Sequence, residues 1–194
     1  MGKIRDIKSF STVEQLPRLT QLGYQLIMIP NEAKELVDYC YSKLVNAIPQ
    51  SEPLNNHSGV RAELLPLDNF PKESKRILEL LQPMHEEWCG QFLEPSIIWG
   101  IRSYLPGSTL PIHTDHLSSH HIASTILVDA EQEEEWELNF QKHDGEVVSI
   151  TQNPGGMVMY EAAKCRHARL SPFKGKYYRN FYVHYRLKDW KYNK

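Results

Sequence analysis

The sequence has few cysteines and no long hydrophobic run, and both shortages exclude classes of protein. Only three cysteines occur in 194 residues, at Cys40, Cys89 and Cys165, widely spaced and without a Cys-x-x-Cys pair. Neither a disulfide framework nor a zinc ribbon is indicated, so reduced intracellular thiols are expected. No stretch reaches the length of a membrane span, and the N-terminus lacks an apolar signal segment. We therefore expect a cytoplasmic protein without membrane contact.

The chain also lacks an excess of charge of one sign and any low-complexity tract. Its 22 basic and 24 acidic residues give a formal net charge of -2. Such a balance offers no general attraction to nucleic acid or anionic lipid, so neither is predicted as a partner. With 41% hydrophobic residues, the length suits one domain over residues 1–194. The oligomeric state is not readable from the sequence.

The N-terminal part of the chain predicts two amphipathic helices. After a short strand over residues 23–30, Asn31 is the expected N-cap of the first helix, whose apolar residues recur three and four apart. A second helix is predicted over residues 72–92, with Pro83 as a kink or break. The segment between them, residues 49–71, is too long for a minimal connection and is interpreted as a mobile lid.

From Ser96 onward the pattern changes to short apolar runs separated by turn residues. The predicted strands are residues 97–105, 121–128, 136–140, 146–151, 157–161 and 177–187. The fold class expected is α+β and mainly β. Helical support over about residues 1–95 would lie against one outer face of a β-core over about residues 96–190.

The most informative local pattern is His113-Thr114-Asp115. Residues two apart in an extended chain project from the same face, so the imidazole and the carboxylate converge. A second histidine from a distant strand, chosen as His167, completes the two-His-one-carboxylate set that binds Fe(II) with positions left open. The triplet alone is common by chance. Histidines that offer a different ligand set in the same loop are His116, His120 and His121. The remaining ones, His57, His85, His143 and His184, are interpreted as solvated or packed.

Three stretches around this triplet occur in a recognisable order. They are the tyrosine and glycine run of residues 101–107 leading to the triplet, the apolar strand of residues 121–128, and the Pro-Gly turn of residues 154–160 leading to His167. Together they resemble the prolyl 4-hydroxylase-like branch of the Fe(II)/2-oxoglutarate dependent oxygenases, over about half the chain. The chain departs from that family at His120-His121, where an arginine is often found.

The resemblance implies a double-stranded β-helix (jelly roll) with buttressing N-terminal helices. It also implies Fe(II) held by His113, Asp115 and His167, with 2-oxoglutarate and O2 as cosubstrates; ascorbate is a further candidate cofactor. Succinate and CO2 would be the coproducts. Retention of Asp115 favours hydroxylation, because related halogenating enzymes replace this carboxylate.

The substrate implied by the resemblance is a prolyl residue in a peptide or protein. A free amino acid or another small molecule is the alternative within the same family. The segment of residues 49–71 and the acidic turn Glu131–Glu135 are candidate walls of a substrate groove, and the turn would favour a basic peptide.

A basic residue on the strand after the distal histidine is implied as the anchor of 2-oxoglutarate. Arg179 has the parity of Phe181, Val183 and Tyr185, a set interpreted as facing inward, and its guanidinium fork suits a carboxylate. Arg179 is therefore the predicted anchor. Lys176, of the opposite parity, is the second choice, because lysine commonly does this in the prolyl hydroxylases.

Two further residues are candidates for contact with the cosubstrate. Tyr104 would add a phenol hydrogen bond if its strand points it inward, as the resemblance implies; otherwise it is a core aromatic. Arg169 has the parity of His167 in an extended segment and is a candidate for contact with cosubstrate or substrate, or for a surface ion pair.

Two other classes of protein remain open at this point. A cupin-like metal enzyme or isomerase would use the same three ligands without 2-oxoglutarate. A non-catalytic jelly-roll binding module would carry the three residues by accident and recognise a peptide or sugar in its groove.

Overall fold

The protein is described here by a computed structural model that covers residues 16–46, 50–51 and 62–190. Within these residues the chain forms two helices and eleven strands. They are β1 (Tyr24–Met28), α1 (Asn31–Leu44), β2 (Gln50–Ser51), β3 (Ala62–Pro66), α2 (Pro71–Cys89), β4 (Leu93–Tyr104), β5 (Leu110–His113), β6 (Ile122–Gln132), β7 (Leu138–Gln141), β8 (Val147–Ile150), β9 (Gly156–Tyr160), β10 (His167–Arg169) and β11 (Gly175–Leu187).

The strands form two antiparallel sheets. The larger has the order β1-β9-β6-β11-β4-β3-β2 and the smaller the order β5-β10-β7-β8. Apolar residues from both sheets pack in the space between them, among them Ala123 of β6 with Leu138 and Phe140 of β7. This is the jelly-roll arrangement of two facing sheets, and the predicted fold class is confirmed.

The two helices cover the outer face of the larger sheet. Val37 of α1 and Ile77 of α2 share a buried cluster with Ile126 of β6 and with Phe181 and Val183 of β11. The central strands β6 and β11 are therefore buried on both faces, by the helices on one side and by the smaller sheet on the other.

The helices differ from expectation at particular residues. Asn31 is the first residue of α1, and Pro30 occupies the N-cap position without a side-chain hydrogen bond, so the predicted Asn31 cap is wrong. Pro83 lies inside α2, which continues through it to Cys89 and ends at Gly90 in a left-handed conformation. The lost N–H of one proline is tolerated because the rest of the helix packs against the sheet.

The first 95 residues contribute strands as well as helices. β1 adds to one edge of the larger sheet and β2–β3 to the other. β3 lies within the predicted lid segment, while residues 49 and 52–61 of that segment are outside the described residues. No described helix is long and apolar enough to cross a membrane.

Candidate metal centre

Two short strands of the smaller sheet bring the predicted histidines together. His113 ends β5 and His167 begins β10, and the two residues are direct partners in the antiparallel register. Their ring centroids lie 4.3 Å apart. Asp115 follows two residues after β5, and its backbone N–H donates to the carbonyl oxygen of Ala162 over 2.9 Å. This bond fixes the loop that carries the carboxylate.

The donor atoms of these three residues converge. Oδ1 of Asp115 lies 3.7 Å from Nε2 of His113 and 3.7 Å from Nε2 of His167. One ligand atom from each residue lies within 4.8 Å of the other two, and no other such group of His, Cys, Asp or Glu occurs in the described ranges. The alternative ligands His116, His120 and His121 therefore do not assemble a site there.

Backbone carbonyl groups orient both imidazoles. Nδ1 of His113 lies 2.8 Å from the carbonyl oxygen of Pro111, and Nδ1 of His167 lies 3.2 Å from that of Cys165. A carbonyl oxygen only accepts, so each Nδ1 carries the proton and each Nε2 presents its lone pair toward Asp115. A neutral imidazole whose Nε2 carries no proton is the form in which histidine binds metals.

Burial controls the charge of the site. Loss of water lowers the pKa of His167 to about 4, which keeps this imidazole neutral. Desolvation raises the pKa of Asp115, and the nearby His113 and His120 oppose that rise. A divalent cation bound here would stabilise the ionised form of this buried carboxylate. The donor set therefore fits a metal ion of the Fe(II) class.

Aromatic hydroxyl groups line the interior beside the three ligands. The ring of Tyr160 lies 4.8 Å from that of His167. Tyr104 is fully buried, its hydroxyl oxygen lies 3.0 Å from that of Tyr182, and it accepts a hydrogen bond from Arg102 over 3.3 Å. Tyr104 therefore faces inward as expected, while contact with a cosubstrate remains a prediction.

Arg179 lies on the opposite face of β11 from the site. Its guanidinium donates to the hydroxyl of Tyr41 on α1, stacks 3.8 Å from the centroid of Tyr177 and lies 4.0 Å from Asp129. The parity grouping was correct, but the interpretation of its face was wrong. The set of Arg179 and Phe181 is covered by the helices, not by the smaller sheet.

The lysines of the same region point to solvent. Lys176 is 71% exposed and pairs with Glu131 over 3.2 Å, and Lys174 pairs with Glu134 over 3.0 Å. Neither lysine lies in the interior. The two ion pairs also neutralise part of the acidic turn Glu131–Glu135, the candidate groove wall for a basic peptide.

Arg169, for which the sequence left both an interior contact and a surface ion pair open, lies in the interior. It is only 1% exposed and lies between the rings of Trp136 and Tyr178, so a surface ion pair is excluded. Its shared parity with His167 was the available signal. His120 and His184 also lie inside, with ring centroids 4.1 Å apart.

Comparisons with solved structures agree with this architecture. A Pseudomonas putida prolyl-4-hydroxylase superimposes with a TM-score of 0.63 at 13% identity, over 86% of this chain and 94% of that one. HygX from Streptomyces hygroscopicus, solved with nickel, 2-oxoglutarate and hygromycin B, gives 0.62 at 10% identity, over 87% and 84%.

A third similar structure holds a peptide. The prolyl hydroxylase from Trichoplax adhaerens, in complex with a hypoxia inducible factor fragment, gives a TM-score of 0.59 at 12% identity, over 90% of this chain and 87% of that one. No protein-family model matches the sequence, and no curated protein matches it. The likeness is one of structure, and it establishes that this chain has the fold of the 2-oxoglutarate/Fe(II) oxygenases.

Proposed function

We propose that the protein is an Fe(II)/2-oxoglutarate dependent dioxygenase that hydroxylates a C–H bond of its substrate. The observation that carries this proposal is the convergence of His113, Asp115 and His167 between the two sheets of this fold. Two imidazoles and one carboxylate on one face of a metal leave the other positions for cosubstrate and oxygen.

The roles of the residues follow from their contacts. His113, Asp115 and His167 would hold Fe(II), which, when bound, supplies the activation of oxygen coupled to decarboxylation of 2-oxoglutarate. The carbonyl groups of Pro111 and Cys165 keep each imidazole in the tautomer that binds metal. The chain's own part is to hold these ligands and to exclude water from the interior.

A prolyl residue in a peptide or protein is the first substrate to test. Supporting it are the prolyl hydroxylases among the similar structures, one of which binds a peptide. A small molecule is the second candidate, since HygX, which has the same fold, was solved with hygromycin B. Ion pairing of Glu131 and Glu134 with lysines weakens the case for a basic peptide.

Formation of succinate from 2-oxoglutarate tests the proposal. Purified protein supplied with Fe(II), oxygen, ascorbate and 2-oxoglutarate is expected to release succinate, faster in the presence of a proline-containing peptide or small-molecule substrate. His167→Ala should abolish the reaction. Undiminished succinate release by this variant would contradict the proposal.

The rival classes give different results in the same preparation. A cupin-like metal enzyme would bind Fe(II) but release no succinate from 2-oxoglutarate. A binding module would not bind Fe(II) at all, which calorimetry measures directly.

A further inference from the structure

Arg169 is a buried cation whose partners are all neutral. Its guanidinium carbon lies 4.5 Å from the centroid of the Trp136 ring and 4.6 Å from that of Tyr178. The group donates to the carbonyl oxygen of Trp136, and over 3.4 Å each to Oε1 of Gln152 and to the hydroxyl of Tyr178. Among the residues that the structure describes, no carboxylate pairs with it.

Burial in such an environment costs desolvation free energy, because a guanidinium stays charged at any physiological pH. Two aromatic faces and three neutral acceptors offset part of the desolvation. A buried charge is normally paired with an opposite charge, and five N–H donors leave capacity for one more acceptor group. The environment of Arg169 therefore suits an anion.

An anion bound to Arg169 would lie close to the metal centre, because Arg169 and the ligand His167 belong to the same short strand. Arg169 and His167 are the two ends of β10 and both are buried. Alternate residues of a strand lie about 7 Å apart. Tyr104 and Tyr178 belong to the same buried cluster as Trp136, so the guanidinium is enclosed within the interior between the two sheets.

On the strand β11, by contrast, the cations are occupied elsewhere. Lys176 pairs with Glu131 at the surface, Arg179 lies under α1, and Arg186 pairs with Glu94 over 2.7 Å. Toward Arg169, β11 presents the phenol of Tyr178. The other arginine of this interior is Arg102 of β4, which lies over the rings of Tyr104 and Tyr182 and donates to the hydroxyl of Tyr104 over 3.3 Å. Arg169 is the cation at the end of β10, in the cluster of Trp136 and Tyr178.

We propose that Arg169 binds the carboxylate of 2-oxoglutarate that lies far from the metal, so that the anchor in this chain is on β10 instead of β11. The inference rests on the proposed function. 2-Oxoglutarate is a five-carbon dicarboxylate: its keto end suits the open metal positions, and its other carboxylate needs a buried cation within the length of the molecule. A guanidinium fork matches a carboxylate with two parallel hydrogen bonds.

The first test compares two ligands on the unaltered protein. Binding of 2-oxoglutarate and of 2-oxopentanoate, which has a methyl group in place of the far carboxylate, is measured by calorimetry on Fe(II)-loaded protein without oxygen. Charge-assisted hydrogen bonds to the far carboxylate are expected to make 2-oxoglutarate roughly 10- to 100-fold tighter. Quenching of tryptophan fluorescence provides a second readout, since Trp136 stacks on Arg169.

The second test assigns this preference to one residue. Arg169→Gln should bring the two ligands to similar affinity, and Arg169→Lys should retain part of the preference. Arg179→Gln is the matched control, an arginine of neighbouring sequence whose contacts lie under α1, and it should keep the full preference. Fe(II) binding by each variant checks that the metal centre is intact.

The outcomes separate this inference from the proposed function. An undiminished preference in Arg169→Gln, or its loss in Arg179→Gln, overturns the role of Arg169 while 2-oxoglutarate dependence stands. Equal affinity of the two ligands for the unaltered protein overturns it without any variant. Absence of 2-oxoglutarate binding to Fe(II)-loaded protein overturns the proposed function and this inference together.

Discussion

The imidazoles of the metal centre show how single hydrogen bonds determine chemistry at the scale of the residue. Each ring has one nitrogen next to a backbone carbonyl and the other next to Asp115. The carbonyl fixes the proton on Nδ1 and leaves Nε2 unprotonated. The ligand geometry thus exists before a metal arrives, which lowers the cost of ordering the site on binding.

Arg169 on β10 and Arg179 on β11 carry the same guanidinium group but lie on different sides of the larger sheet. Arg179→Gln removes stacking on Tyr177 and a hydrogen bond to Tyr41. Contacts of this kind at a partly exposed site contribute about 1 kcal/mol. We expect a loss of that size in the free energy of unfolding, measured by urea denaturation, with Fe(II) binding unchanged. Weakened metal binding would contradict this placement.

At the scale of the element, α2 is joined to the larger sheet by a buried histidine. Nδ1 of His85 donates to the carbonyl oxygen of Leu81 over 2.7 Å, and Nε2 accepts from the hydroxyl of Ser124 on β6 over 2.5 Å. Complete burial lowers the pKa of His85 to about 4. The ring therefore stays neutral in the folded protein while the unfolded chain takes up a proton near pH 6.5.

The stability of the fold should therefore decrease in mild acid. Between pH 6.5 and 4 the unfolded state binds more protons than the folded state, so the free energy of unfolding rises with pH in that window and falls as pH drops. His85 alone contributes up to about 3 kcal/mol across it. The slope of unfolding free energy against pH should be shallower in His85→Gln by up to one proton. Equal slopes in both proteins would refute this role.

The contact between β3 and β4 depends on a glycine. Gly100 has a φ of 143°, and a Cβ there would lie 2.3 Å from the carbonyl oxygen of Leu65. Gly100→Ala must displace β3, and we expect a loss of about 2–4 kcal/mol in urea denaturation. Gly107, with a φ of 82° and open space around it, is the control for backbone strain alone. Gly107→Ala should cost less, about 1–2 kcal/mol.

The periodicity of apolar residues predicted most of the helices and long strands, but not which face of a strand lies toward the site. The long strands β4, β6 and β11 and both helices follow from runs of apolar residues. β5 and β10, with four and three residues, are too short to give a pattern, although they carry the histidines. The face of Arg179 was misassigned because both faces of β11 are buried, so apolar character does not distinguish the side of the helices from that of the site.

At the scale of the whole molecule, the helices and the candidate site lie on opposite faces of the larger sheet. The helices and the outer face of the larger sheet form one apolar cluster, and the interior between the sheets holds the polar residues of the site. His113 and Asp115 lie far from His167 in the chain, and the three residues meet when β5 pairs with β10 in the smaller sheet. Their meeting was predictable from motif resemblance, whereas the interior position of Arg169 required the packing of Trp136 and Tyr178.

Because the metal binds the assembled sheets and not the separated segments, it should stabilise the folded protein. A ligand at 100 times its dissociation constant adds about 2.7 kcal/mol. We expect Fe(II), added without oxygen, to raise the midpoint of thermal unfolding, and Asp115→Ala to remove the increase. An equal rise in that variant would place the metal elsewhere.

The most direct test of the central claim is a calorimetric titration of the metal-free protein with Fe(II) in the absence of oxygen. One ion per chain should bind to the unaltered protein. In His167→Ala the affinity should fall by at least about 100-fold, because only two of the three ligands remain. Binding of one Fe(II) with unchanged affinity in His167→Ala would contradict the assignment of the metal centre.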